Sequence, residues 1–164
     1  MKFTPLIEKH ALLVIMLIAC IWALAFQGSR GLLEPDEGRY SNVALQILQH
    51  NDWVSLYRNQ ESLHFTKPPL TYWLIASSVS VFGYNEWAVR FPAALAFIFS
   101  VYLVFQLGKV FVPKRPWLPA LFFLSSPVTF FASNTVNTDT VLATMLTLAV
   151  TCFVQARFAG KNNY

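Results

Sequence analysis

Four apolar runs constrain this chain more than any other feature. Ala11–Phe26 is unbroken, and Phe91–Leu107 has only Ser100 and Gln106 as polar members. Leu118–Ala132 is interrupted by Ser125, Ser126 and Thr129, and Val141–Val154 by three threonines. A helix needs roughly 17–25 mainly apolar residues to cross a bilayer. Backbone groups in hydrocarbon must be satisfied within the segment, so such runs must be helices. Only 12% of the residues are charged and 55% are hydrophobic, whereas a soluble domain carries about a quarter charged residues. The expectation is an all-α membrane protein, one domain over 1–164, with about four transmembrane helices near 10–27, 87–111, 117–133 and 140–158.

The basic residues report topology rather than a polyanion partner. Lys2 and Lys9 precede the first span, Lys109, Lys114 and Arg115 separate the second from the third, and Arg157 and Lys161 follow the fourth. With simple crossings all three groups fall on one side, which the positive-inside rule makes cytoplasmic. The net charge of +4 forms no stripe and has no interleaved aromatic platform, so nucleic acid is not an expected partner. The N-terminus is then cytoplasmic, and the first large loop, 28–86, lies on the outer face of the membrane. Cys20 and Cys152 fall inside spans and suggest neither a disulfide framework nor a metal spacing. Ala23-Leu24-Ala25 resembles a signal-peptide cleavage site, but large Phe26 and three later spans favour a retained first helix.

The loop 28–86 is too long for a simple connection and too aromatic for disorder. Two interfacial helices are expected within it. The first covers about 37–49, with Tyr40, Val43, Ala44, Ile47 and Leu48 on one face and an Asp-Glu pair in its first turn, where the helix dipole favours negative charge. The second covers about 69–82, entered through Pro68-Pro69 and ended at Gly83, with Leu70, Trp73, Leu74, Ser77 and Val81 sharing a face. At about 14 residues it is short for a span.

Three polar motifs fall on the outer side. Glu34-Pro35-Asp36-Glu37-Gly38-Arg39-Tyr40 gathers three carboxylates whose repulsion raises pKa values, one route to a general base; an N-terminal capping cluster is the plainer alternative. His64-Phe65-Thr66-Lys67-Pro68-Pro69 places an ammonium beside a helix start, which suits a lipid phosphate, or a lysine reaching the headgroups. Asn134-Thr135-Val136-Asn137-Thr138-Asp139 puts an acid at the start of a span, either functional or a cap. Converged on one surface, the three make a site for a phosphate-bearing lipid and an acceptor that must lose a proton.

The run Glu34–Tyr40, then Asn51-Asp52-Trp53, then Phe65-Thr66-Lys67-Pro68-Pro69-Leu70-Thr71-Tyr72-Trp73 resembles the N-terminal part of polyprenyl-phosphate-sugar glycosyltransferases, the multi-span enzymes of the protein mannosyltransferase and aminoarabinose (lipid A) transferase type. The resemblance covers about Leu32–Ala156. It implies a sugar moved with inversion from a polyprenyl-phosphate donor to a lipid, glycan or protein acceptor. By the resemblance Asp36 is the catalytic base, with Glu37 beside it. Lys67 binds the lipid phosphate, Arg39 and Tyr40 contact substrate, and Asp139 lies near the acceptor or a divalent ion. Some relatives carry Glu where Thr66 stands here, so any metal is expected to use Glu37, His64 or Asp139. Members of the family are several times longer, which implies the N-terminal part of a longer transferase, inactive or weakly active alone. The alternative is a non-catalytic membrane module that binds lipid phosphate or a longer transferase partner.

Overall fold

The computed structural model of the chain describes residues 5–59, 62–64 and 66–158, with side chains from His10 onward. Lys2, Phe65 and Lys161, used above, lie outside the described residues, as does the side chain of Lys9. Within the described residues seven helices follow one another: α1 Pro5–Leu24, α2 Asp36–His50, α3 Leu70–Phe82, α4 Glu86–Phe111, α5 Trp117–Ser125, α6 Pro127–Ser133 and α7 Thr138–Phe158. Among the described residues there is no strand, only an isolated antiparallel bridge between Tyr57 and Leu63. Among the described residues two helices, α4 and α7, are by themselves long and apolar enough to cross a bilayer. His10–Leu24 and Leu70–Phe82 are shorter apolar helices.

The organising element is α4, which packs against α1, α3, α5, α6 and α7. Two apolar clusters form around it. At its N-terminal end Ala88 and Val89 meet Tyr40, Val43 and Ile47 of α2, Tyr72, Ile75 and Val79 of α3, and Val136. Further along, Phe97, Val101 and Phe105 meet Ile15, Ala19 and Ala23 of α1 and Ala120 and Leu124 of α5. The apolar face expected for α2 is the face that packs, with Tyr40, Val43, Ala44 and Ile47 buried. On α3 the outcome is different. Leu70, Trp73, Leu74 and Val81 are exposed, while Thr71, Tyr72, Ile75, Ala76, Ser78 and Val79 face the core. This helix is apolar on both sides, so periodicity alone did not indicate which side the protein would use.

Prolines shape two helices, and a hydroxyl compensates each. Pro92 lies inside α4 and supplies no amide to the carbonyl of Ala88 one turn earlier. The Ser78 hydroxyl of α3 donates to that carbonyl at 2.6 Å. The helix expected over 117–133 is corrected in one respect: it breaks at Ser126–Pro127 into α5 and α6. Pro127 frees the Phe123 carbonyl, which accepts from the Thr129 hydroxyl at 2.6 Å. Buried carbonyls released by proline must find such partners in an apolar surround.

Glycine is required where α4 meets the turn into α5. A Cβ on Gly108 would lie 2.2 Å from the Pro116 carbonyl oxygen. The backbone is too close there for any other residue.

Candidate functional site

Three segments meet at the N-terminal end of α4: the stretch 27–37 entering α2, the turn 133–137 entering α7, and α4 itself. Their junction is a buried ion pair. Arg90 of α4 and Glu37 of α2 are 0% and 2% exposed. Arg90 Nε donates to Glu37 Oε1 and Nη2 to Oε2, each at 2.9 Å. The remaining guanidinium hydrogens go to backbone carbonyls: Nη1 donates to Gln27 at 2.5 Å and Arg30 at 2.9 Å, and Nη2 to Gly31 at 2.8 Å. All five donors of the guanidinium are used.

The Glu37 carboxylate is equally saturated. It accepts from the Leu33 amide at 2.6 Å, from the Val136 amide at 2.8 Å and from Arg30 Nη1 at 3.0 Å. Burial alone would raise its pKa, but the Arg90 bonds, the Leu33 and Val136 amides and Arg30 outweigh it and hold it down at about 2. A carboxylate so fully engaged holds its charge and is a poor proton acceptor. Arg30 adds a second bridge, since its Nη2 donates to the Asn134 carbonyl at 2.6 Å.

Asp36, one residue before Glu37, is turned to the outside. Its side chain is 59% exposed and pairs with Arg39 on the next turn of α2. Arg39 also lies over the Tyr40 ring, 5.2 Å from its centroid. Tyr40 itself is buried and tilts against Tyr72, with centroids 6.0 Å apart. Asp36 lines a cavity of about 530 Å³, together with Glu34, Phe131, Val136, Asn137, Asp139 and Ala143.

Lys67 and Asp139 are brought together from segments far apart in sequence, with Nζ 3.7 Å from Oδ1 and side chains 42% and 80% exposed. An exposed pair of this kind is worth about 0–1 kcal/mol, so another anion can compete for the ammonium. Asp139 is free for this contact because Asn137 caps α7, its Oδ1 accepting from the Thr140 amide at 2.7 Å. Lys67 and Asp139 line a second cavity of about 110 Å³ with Thr71, Val141 and Met145. Asp139 is thus a wall of both cavities. Val141 and Met145 continue into an apolar groove of about 400 Å³ between α3, α4 and α7, whose walls include Leu74, Leu95 and Phe99.

His64 is buried at the edge of this region. Its Nε2 lies 2.8 Å from the Tyr72 hydroxyl and 3.2 Å from Thr66 Oγ1. Burial, with Arg39 and Arg58 nearby, pushes its pKa down, and burial pushes the Tyr72 phenol up to about 12. Glu37, His64 and Asp139 do not converge: among the described residues no three His, Cys, Asp or Glu side chains gather so as to hold a metal ion. Arg90, Arg30 and Asn137 were not singled out from the sequence. Arg90 read as the flank of a span. Its only local signal was a cation four residues inside the α4 boundary.

Comparison with known proteins bears on this arrangement. Residues 66–164 match a family described as dolichyl-phosphate-mannose-protein mannosyltransferase. Over 130 residues the chain is 35% identical to undecaprenyl phosphate-alpha-4-amino-4-deoxy-L-arabinose arabinosyl transferase 2 of Pseudomonas fluorescens, covering 78% of this chain and 23% of that protein. It is 30% identical over 152 residues to the corresponding transferase of Photorhabdus laumondii, covering 92% of this chain and 26% of the relative. The chain therefore spans about a quarter of the length of these relatives. The crystal structure of ArnT from Cupriavidus metallidurans in the apo state shares its fold, with a TM-score of 0.80 over 87% of this chain and 27% of that one, at 22% identity. The same protein bound to undecaprenyl phosphate superposes with the same score.

Proposed function

The chain belongs to the dolichyl-phosphate-mannose-protein mannosyltransferase family, and from that premise we propose that it forms the polyprenyl-phosphate-binding and base-bearing part of an inverting membrane glycosyltransferase. The observation that carries this reading is the position of Asp139, a wall shared by the cavity holding Asp36 and the cavity holding Lys67. A lipid phosphate at Lys67 and an acceptor beside Asp36 would then be neighbours. The apolar groove running from Val141 and Met145 suits the start of the hydrocarbon tail. The relatives are named for undecaprenyl phosphate-linked aminoarabinose, and a sugar on a polyprenyl phosphate is the donor class proposed here.

In this reading Asp36 accepts the proton of an acceptor hydroxyl or phosphate. The acceptor oxygen forms its bond to the anomeric carbon as the bond from that carbon to the lipid-phosphate oxygen breaks. The electron pair leaves with the phosphate, and Lys67 neutralises the charge that develops there. Asp139 keeps Lys67 oriented between turnovers and is displaced by the incoming phosphate. Arg39 steadies the Asp36 carboxylate. Glu37 stays ionised and structural.

The topology that suits this chemistry has the N-terminus in the cytoplasm of a bacterial inner membrane. The crossings are α1, α4, the broken α5–α6 pair and α7, with α2 and α3 at the outer interface. The 13 residues of α3 are too few to span, and its exposed apolar face suits the lipid boundary.

The test is labelled-sugar transfer from a polyprenyl-phosphate donor in membranes carrying the chain, with photo-crosslinking of the donor in parallel. Crosslinking that is lost in Lys67→Ala and kept in Asp36→Asn is the expected pattern, and the weak transfer expected of this chain is lost in both. Crosslinking that survives Lys67→Ala overturns the assignment. The exposed Lys67–Asp139 pair beside an apolar groove would serve lipid-phosphate binding by itself, which favours one second reading, a lipid-phosphate-binding module without transfer. Lysine-dependent crosslinking with no transfer in any variant selects it.

A further inference from the structure

The guanidinium of Arg90 is more elaborate than anchoring a helix requires. Every group it touches belongs to the segment 27–37 that carries Asp36: the carbonyls of Gln27, Arg30 and Gly31 and the carboxylate of Glu37. Through Glu37 Oε1 the same node reaches the Val136 amide, 99 residues away in sequence and three residues before Asp139. Arg30, bound to the same carboxylate, adds a second connection to that turn at Asn134. The two acidic residues of the site thus sit on two backbones joined by one ion pair.

Helix geometry converts this into direction. Successive residues of an α-helix are turned by about 100°. With Glu37 held against Arg90, Asp36 is rotated away from the core and onto the cavity wall. An apolar side chain of similar size would fill the space around Arg90 and would commonly hold the helices together as well or better. It would not set the register of two loops against each other, which needs directed bonds.

We infer that Arg90 is a positioning residue: acting through Glu37 and Arg30, it sets the separation of Asp36 and Asp139 across their shared cavity. This rests on the reading of those two residues as the acceptor side and the phosphate side of one transferase site. The inference assigns Glu37 a role distinct from catalysis, as the member through which α4 controls both loops.

The experiment measures the separation directly and needs no turnover. Spin labels are placed at Glu34→Cys and Ala143→Cys, two exposed positions on the walls of the larger cavity, in the full chain in lipid nanodiscs. Cys20→Ser and Cys152→Ser remove the native thiols. A control pair at Leu95→Cys and Leu146→Cys reports the packing of α4 on α7. Pulsed electron–electron resonance is expected to give one narrow distance for each pair. Arg90→Met is expected to widen the 34–143 distribution at least twofold and leave the control pair unchanged. Glu37→Gln, which keeps the shape but not the charge, is expected to widen it less, and it decides the matter by the same criteria if Arg90→Met does not insert. An unchanged 34–143 width, or equal widening of both pairs, overturns the inference. Crosslinking of polyprenyl phosphate to the unsubstituted chain is measured separately. Its absence would defeat the transferase reading while leaving the distance result to stand or fall by itself.

Discussion

Arg90 and Glu37, 53 residues apart in sequence, meet through two N–H···O bonds of 2.9 Å each. Neither side chain is more than 3% exposed. Removing one partner of a buried pair leaves an uncompensated charge, which costs about 3–5 kcal/mol. Arg90→Ala and Glu37→Ala are each expected to lower stability by about that amount, measured by denaturant titration in mixed micelles. Replacing both with Met and Leu is expected to cost much less than the sum of the single changes, because no stranded charge remains. Additive single effects would show that the two groups act independently.

The same pair predicts an acid limit. Glu37 is held at about 2, against an ordinary 4.5. Its contribution, about 3 kcal/mol by linkage, is complete above pH 4.5 and is lost as pH falls toward 2. Thermal midpoints measured in micelles from pH 6 to 2.5 are expected to fall steeply below 4.5, and Glu37→Gln is expected to flatten that limb.

His64 loses stability in the same direction, on acidification, but in a different window. Its lowered pKa means that the folded state binds the proton less readily than the unfolded chain. Stability is therefore expected to decline as pH drops below about 6.5, the ordinary histidine value, toward the depressed one. His64→Asn is expected to remove this decline and leave the limb below 4.5 in place. Midpoints that hold steady between pH 7 and 5 would contradict the assignment.

The hydroxyl of Ser78 bonds the carbonyl that Pro92 leaves free. Ser78→Ala is expected to cost about 1–2 kcal/mol, since a buried carbonyl loses its partner. In a Pro92→Ala background residue 92 again has an amide for the Ala88 carbonyl, and the cost of Ser78→Ala is expected to shrink. A double-mutant cycle in micelles measures the difference, and a coupling near zero would show that the hydroxyl does not compensate for the proline.

Lys67 and Asp139 make opposite predictions for lipid phosphate. Lys67→Ala is expected to weaken binding of a polyprenyl phosphate about tenfold or more, a loss of about 1.4 kcal/mol. Asp139→Asn removes a competing carboxylate and is expected to strengthen binding by no more than about fivefold, the worth of an exposed ion pair. Binding titrations at two salt concentrations check both, and the Lys67 effect is expected to shrink at high salt.

Much of the architecture was legible in the chain. Three of the apolar runs fall within α4, α5–α6 and α7, the first overruns the end of α1 by two residues, and the proline and glycine punctuation lies at the bounds of α2 and α3. Asp36, Lys67 and Asp139 stood out as charges beside helix starts. Which charges would be buried was not legible. Glu34, Asp36 and Glu37 look alike in sequence, yet Glu37 alone is buried. Asp139 read as a possible cap for α7, and the structure gives that place to Asn137.

The sequence by itself determined what depends on neighbours a turn away or on the length of an apolar stretch. That covers where helices form and which polar residues lie near their ends. Only the tertiary structure decided how those ends meet. It buried Glu37 against Arg90, turned Asp36 outward, tied the Val136 amide to the same carboxylate and set Lys67 beside Asp139. The physical reason is that hydrophobic length and backbone bonding act locally, whereas pairing a buried charge requires a partner that the fold alone can deliver.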